Sequence, residues 1–317
     1  MANKPSIIFS GSPNKGYLKT NQPRCTLKPI RETSQANHLN PSLQPPKGYL
    51  KSKMTTLDYE DSRTLWQTIL AETAEAAESE PMLASFLHQT VLRHSSIDRV
   101  LAFHLSSKLT SPVMDSRALN EIFFQALSSD TRISKAMQAD IIAYYERDPA
   151  CDAYYLPLLY YKGFHAVQAH RINHWLWQHG RKTLAYFLQN RASEVFGIDI
   201  HPAARFGHGI MLDHGTGLVV GETAVLGNDI SILHGVTLGG SGKEGGDRHP
   251  KINDGVMIGA NASILGNIRV NECAKVGAGS VVVNDVPAHS TVVGVPARVI
   301  GQGNVRPSAD MDQSLDA

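Results

Sequence analysis

Six histidines fall within one stretch of the chain: His201, His208, His214, His234, His249 and His289. Imidazole exchanges its proton near neutral pH and is also a common metal ligand. Two chemistries are therefore open here, a metal site shared between subunits or a general base. A zinc site of the carbonic-anhydrase kind on a repeat scaffold would call for a His-x4-His pair, and these six contain none, so no metal is expected. The richest segment is DIHPAARFGHGIMLDHGTG, Asp199–Gly217. Asp199 opens it and His214 stands near its end. A carboxylate behind an imidazole would fix its tautomer and stabilise the imidazolium that forms on proton uptake. The plainer alternative is that Asp199 caps a corner and His214 is solvated. A second segment, GGSGKEGGDRHPK (Gly239–Lys251), is glycine-rich and charged but lacks the GxxxxGK[ST] frame of a phosphate loop.

These residues need a scaffold, and the sequence around them has a period of six. Ile252, Ile258, Ile264, Val270, Val276 and Val282 are aliphatic at that step, and small or aliphatic residues follow four positions after each. The same phase holds at Val220, Leu226, Ile232 and Leu238; further back Ile200, Phe206, Leu212 and Leu218 keep the step but are shifted by two. Short strands joined by tight corners explain such a repeat. Three hexapeptides make one triangular coil of ~18 residues, with the aliphatic side chain inward and glycine or asparagine at the corners. Asp199 and His214 are then close to one coil apart, near enough to meet on adjacent coils if the corners adjust the phase. The grid breaks once, at 239–251, so that segment must leave the coil as a loop, and long loops in compact folds are often functional.

Upstream, from about Asp58 to Phe196, the period is helical, as at Leu83, Phe86, Leu87 and Val91. Pro81, Pro112, Pro149 and Pro157 punctuate the helices. The fold expected is α+β: an all-helical domain over 58–196 for oligomer contacts, then a parallel β-helix of hexapeptide repeats over 197–300. Residues 1–57 read as a disordered basic extension. Residues 1–53 hold nine Lys or Arg and one acid, and KGYLK occurs in them twice. Met54 is an alternative start. The segment is poor in acids, as transit peptides are, but lacks their sustained amphipathic arginine pattern. Without those residues the body is acidic, which argues against nucleic acid, and no apolar run approaches the ~18 residues of a membrane span. Cys25, Cys151 and Cys273 form no CxxC pair, which fits a reducing cytoplasm.

The motifs DIHPAARFGHGIMLDHGTG, VVGETAVLG, VTLGG, GGDRHPKI and GVPARVIG, together with EPMLASF, RDPACD, PLLYYKGFHAVQAHRI and WLWQHGR in the helical block, resemble the serine O-acetyltransferases. The resemblance runs from about Asp58 to Gly301. Hexapeptide repeats alone would point only to a broad acyltransferase superfamily; the helical block with DHGTG and GGDRHPK is far more specific.

The resemblance implies a left-handed β-helix and acetyl transfer from acetyl-CoA to L-serine, giving O-acetyl-L-serine and CoA. Acetyl-CoA would be a co-substrate, with no tightly bound cofactor. His214 matches the general base and Asp199 the carboxylate behind it. Arg248 matches the ligand of the serine carboxylate, Asp148 and Asp213 the groups that receive the ammonium, and His249 a residue near the hydroxyl. Backbone N–H groups at the corners or His249 could serve the oxyanion. Ala260 and Ala278 would let the pantetheine arm approach the backbone. The resemblance further implies inhibition by L-cysteine at the serine site and a homohexamer built as a dimer of trimers. Tails of many relatives end in isoleucine and enter O-acetylserine sulfhydrylase. Here 301–317 reads as a flexible, period-less tail ending in Ala317, so that complex is expected to be weak or absent. The competing functions are acetylation of a sugar or antibiotic hydroxyl, which would need no Asp148/Arg248 pair, and a scaffolding subunit for the sulfhydrylase.

Overall fold

The computed structural model describes residues 59–242, 245–302 and 306–315; the expectations for 1–57 and for Ala317 lie outside the described residues. The chain opens with helices α1 (Tyr59–Ser79), α2 (Pro81–Leu87), α3 (Ile97–Leu109), α4 (Ser116–Ser129) and α5 (Thr131–Arg147), with a π turn at His88–Leu92. Their starts follow local chemistry. Ser96, Asp115 and Asp130 each accept a backbone N–H of the first turn, an N-cap bond worth about 1 kcal/mol. After α6 (Tyr155–Tyr160) comes α7 (Lys162–Gln178), which is buried on nearly every side from Gly163 to Asn173. α8 (Lys182–Phe196) ends at Gly197, whose φ of 67° suits a glycine C-cap.

The rest of the chain coils into a three-sided parallel β-helix. The first face stacks β1 (Asp199–Ile200), β4 (Val219–Val220), β7 (Thr237–Gly239), β10 (Ser263–Leu265) and β13 (Val281–Val282). The second stacks β2 (Arg205–Phe206), β5 (Val225–Leu226), β8 (Lys251–Ile252) and β11 (Arg269–Val270). The third stacks β3 (Met211–Leu212), β6 (Ser231–Ile232), β9 (Met257–Ile258), β12 (Lys275–Val276) and β14 (Ser290–Gly294), closed by antiparallel β15 (Ala297–Gln302). The period-six residues from Ile200 to Val282 point inward and are buried, apart from Phe206. Phe206 lies half-exposed against His170, with ring centroids 4.4 Å apart. Each buried aliphatic side chain contributes roughly 1.5–3 kcal/mol.

The irregularities of the period have a place in the register. Val220 pairs with Leu238, and Ile264 with Val282, one regular coil of three hexapeptides on in each case. Ile200 pairs with Val220, so the first coil is longer than the regular one, and the early phase shift is absorbed in the corner that carries His214. Leu238 pairs with Ile264 across the longest coil, because the glycine-rich loop adds to it.

Buried polar groups stitch the helices to the first coils. Asp140 of α5 is fully buried and accepts from Arg171 (2.7 and 3.1 Å), Gln168 (2.8 Å) and the N–H of Ile210 (2.8 Å). Arg147, also buried, donates to Gly209 O (2.9 Å) and to Asp229 (3.1 Å). Such groups are tolerated inside only when paired and hydrogen-bonded.

The tail corrects an expectation. It is not free over 306–315. Pro307 and Ser308 are buried in a short helical turn, α9 (Pro307–Asp310). Ser231 Oγ donates to Ser308 O (2.8 Å), and Lys275 donates to Ser314 O. A segment without a period can still order when its few apolar residues meet a surface already built, here the third face. No helix among the described residues is long and apolar enough to cross a membrane.

Candidate active site

The expected site residues gather at two corners of the β-helix. The first, between the third and first faces, holds Asp213 and His214. The grip on it comes from α5: Tyr144, fully buried, donates its hydroxyl proton to Leu212 O (2.8 Å) and accepts the Leu212 N–H (3.0 Å). The next two residues are thereby fixed in direction. His214 adopts a left-handed φ of 56° and its ring is largely in solvent, 3.8 Å from Asp213. Asp148 caps the end of α5 and approaches the same corner. One of its oxygens accepts the Ala150 N–H (2.9 Å). Burial raises the Asp213 pKa above the usual carboxylate range; the Asp148 charge adds to the rise, while His214 and His234 oppose it. Two carboxylates close enough to act on one another, one of them partly desolvated, are an arrangement that can receive a cation such as an ammonium.

Further along the same column lie His234, Ala260 and Ala278. The corner segments bond to one another, Asn261 N to His234 O (2.9 Å) and Gly279 N to Ala260 O (2.8 Å). Ala260 is half-buried and Ala278 exposed, so the column presents a small-residue track leading away from His214.

The second corner, between the first and second faces, holds Arg248 and His249. Sequence reasoning missed its organiser, Thr223, although VVGETAVLG contains it. Thr223 Oγ1 accepts the N–H groups of Arg248 and His249 (3.0 Å each) and donates to His249 Nδ1 (2.9 Å). The Thr223 N–H also points at His249 Nδ1 (3.2 Å). With two donors on Nδ1, the neutral ring carries its proton on Nε2. Burial, with Arg248 nearby, holds the His249 pKa below the usual histidine range, so it is a neutral donor near pH 7. The ring lies against Gly221, where a Cβ would come within 2.0 Å of it. Glycine is required there by close approach. Arg248 donates to Glu222 (2.9 Å) and to Gly246 O (3.1 Å).

Asp199 does not stand behind His214 within one chain. Its carboxylate accepts from Gln189 of α8 (2.7 Å), and among the described residues no hydrogen bond or ion pair joins it to His214. The register explains this. Asp199 lies on the first face level with Val219, past the His214 corner, and it acts electrostatically on His201 at the Arg248 corner. Asp199 thus sits on the first face, the face that separates Arg248 and His249 at one corner from Asp213 and His214 at the other. The 530 Å³ cavity between α5, α7 and the remaining corner, lined by Ile133, His170 and Phe206 among others, contains none of them. Among the described residues no three metal-ligating side chains converge.

A helical block leading into hexapeptide coils, with a histidine, paired carboxylates and an arginine at the corners, defines a left-handed β-helix acyltransferase. Residues 65–169 match the family model described as serine acetyltransferase, N-terminal. The chain is 56% identical over 258 residues to serine acetyltransferase of Escherichia coli K12, covering 81% of this chain and 94% of that one. It is similar to the crystal structure of Neisseria gonorrhoeae serine acetyltransferase, with 72% identity, a TM-score of 0.77, and coverage of 83% of this chain and 99% of that one. A Brucella abortus serine acetyltransferase solved in complex with coenzyme A matches with 51% identity and a TM-score of 0.75, covering 76% of this chain and 96% of that one. The chain belongs to the serine acetyltransferase family.

Proposed function

We propose that this enzyme makes O-acetyl-L-serine from L-serine and acetyl-CoA at a site completed by two copies of the chain, the His214 corner of one facing the Arg248 corner of the next. The observation that carries this reading is the division of labour. One corner has two carboxylates and a solvent-facing histidine, the other a guanidinium and a tautomer-fixed histidine, and among the described residues no hydrogen bond or ion pair within one chain joins them. Serine needs both, one for its ammonium and one for its carboxylate. Relatives have been solved with serine, with cysteine and with coenzyme A.

In this reading Asp148 and Asp213 hold the ammonium, and Arg248 turns from Glu222 to the carboxylate as a flat two-donor fork. The hydroxyl then faces His214, which takes its proton as the oxygen attacks the thioester carbonyl. Asp199 arrives with the neighbour's Arg248 corner and backs the imidazolium. His249 Nε2–H is a preset donor for the tetrahedral oxyanion. As that intermediate collapses, the proton on His214 passes to the departing CoA sulfur. Ala260 and Ala278 line the approach of the pantetheine arm. L-Cysteine shares serine's ammonium and carboxylate and competes for the same two corners. The copies form trimers paired by the helical blocks into a hexamer, in the cytoplasm. The sulfhydrylase complex is weak, since 306–315 already lies on the enzyme's own third face.

His214→Ala tests the base. General-base assistance is worth roughly 10²–10⁴-fold, so kcat falls by that factor while serine binding, followed by calorimetry, stays within a few-fold. Near-normal turnover in the variant would remove His214 from the mechanism.

A further inference from the structure

α1 carries a carboxylate that none of the roles above uses. Glu72 Oε2 accepts the backbone N–H groups of Tyr154 (2.8 Å) and Tyr155 (3.3 Å). These are the first donors of α6, a helix with no side-chain cap of its own. The segment they terminate begins at Asp148. At that end it is held by α5, through Asp148 N to Tyr144 O (3.0 Å), and by a turn in which Asp148 O accepts from Cys151 N (3.0 Å). Tyr154 is buried and stacks on Tyr145 of α5 with ring centroids 4.0 Å apart. Between α5 and α6, Glu72 is thus the far anchor of the short strap on which Asp148 sits.

We infer that Glu72 is a positioning residue for serine binding: by anchoring the strap at Tyr154 and Tyr155 it aims the free oxygen of Asp148 at the ammonium site shared with Asp213. This rests on the reading of Asp148 as an ammonium ligand. A carboxylate acceptor for backbone N–H groups makes bonds about twice as strong as a neutral one. Its surroundings favour the neutral form: burial, with Asp152 and Glu75 close by, pushes the Glu72 carboxyl up to about 7. An acid kept in so unfavourable a place is there for what it accepts. Loss of both bonds leaves α5 and the coil intact and frees only the strap, so the effect falls on serine and not on CoA or the chemical step.

The test is steady-state kinetics on Glu72→Ala, Glu72→Gln, Asp148→Asn and the double variant Glu72→Ala/Asp148→Asn, each in the full chain. Glu72→Ala is expected to raise the KM for serine about ten-fold, the scale of one or two lost hydrogen bonds, with kcat within about two-fold and the KM for acetyl-CoA unchanged. Glu72→Gln keeps an acceptor oxygen and restores the serine KM to within about three-fold. The double variant is no worse for serine than Asp148→Asn alone, because Glu72 acts through Asp148. A wild-type serine KM in Glu72→Ala, an equal change in the acetyl-CoA KM, or additive effects in the double variant would each overturn the proposal. If Asp148→Asn itself leaves the serine KM unchanged, the ammonium reading fails and takes this proposal with it. A failure confined to the Glu72 variants leaves that reading standing. Should Glu72→Ala not fold, Glu72→Asp, too short to reach both N–H groups, carries the same expectation.

Discussion

At the Arg248 corner the polar side chains are already paired. His249 Nδ1 has two donors from Thr223, Arg248 has Glu222, and Lys251 is held by Asp247 (2.7 Å) and His249 O (2.6 Å). At the His214 corner the opposite holds: Asp148 and Asp213 stand near one another, among the described residues no Lys or Arg pairs with either, and the His214 ring projects into solvent. Both corners are turns between strands of the same β-helix, one in the lengthened first coil and one carrying the glycine-rich loop, and the contrast lies in the side chains they present. The paired corner is preorganised and presents fixed donors. At the unpaired corner burial, with the Asp148 charge adding to it, raises the Asp213 pKa, and a positive ligand would oppose that rise. In the proposed reading serine brings the ammonium to one and the carboxylate to the other, so neither corner would bind it well alone.

The largest effect that could break this comparison comes from mixing variants. His214→Ala spoils one corner and Arg248→Ala the other, and each homogeneous enzyme should lose at least about 10²-fold in activity. If the corners of a site come from different copies, co-expression of the two chains rebuilds about a quarter of the sites by random assembly. Activity then recovers to about a quarter of wild type. No recovery in the mixed assemblies would mean that one chain holds the whole site.

A smaller effect sharpens the contrast. Asp213→Asn removes one of the two charges at the unpaired corner. A hydrogen bond to a charged group is worth about 1.5–3 kcal/mol, so the serine KM should rise by roughly 10–100-fold, with the acetyl-CoA KM unchanged. Equal losses for both substrates would show that Asp213 holds the corner's shape and not the ammonium.

The two corners were unequally legible in the sequence. The β-helix announces itself because every coil repeats the same demand, an aliphatic residue inward and a small one near the corner; from Ile200 to Val282 the grid falls on buried strand residues except at Phe206, which is half-exposed, and Leu218, which is buried just before β4. His214, Asp213 and Arg248 could be named from their motifs. What spacing could not show was pairing across long separations. Asp199 was expected beside His214 because their spacing is near that of one regular coil, but the coil there is longer and the Asp199 carboxylate goes to Gln189. Thr223, Tyr144 and Glu72 escaped notice because a threonine in a strand corner, or a tyrosine or glutamate in a helix, carries no signal until its partner is known. The tail reads as free for the same reason: Pro307 and Ser308 find their burial on Ser231 and α5, far away in sequence.

The smallest effect concerns stability, and it lies behind the unpaired corner. Glu72 is raised from 4.5 to about 7 by burial, with Asp152 and Glu75 adding to the rise; the other groups about it are Tyr145, Tyr154 and Tyr155, and among the described residues no cation offsets them. For an acid raised on folding, the native state holds its proton more tightly than the unfolded chain. The group therefore costs nothing below about pH 4.5, costs progressively more as the pH rises, and reaches its full cost above about pH 7. The bare shift corresponds to about 3.4 kcal/mol, and partial solvent screening reduces this to about 1–2 kcal/mol. Glu72→Gln abolishes the titration and keeps an acceptor for Tyr154 and Tyr155. Denaturant unfolding should therefore show Glu72→Gln equal to wild type near pH 4.5 and more stable by about 1–2 kcal/mol at pH 8. The serine KM of the same variant stays within about three-fold of wild type. A variant less stable than wild type at pH 8 would mean that the ionised carboxylate gains more from the two backbone N–H groups than burial costs it. The unpaired corner would then be backed by a stabilising anion and not by a strained one.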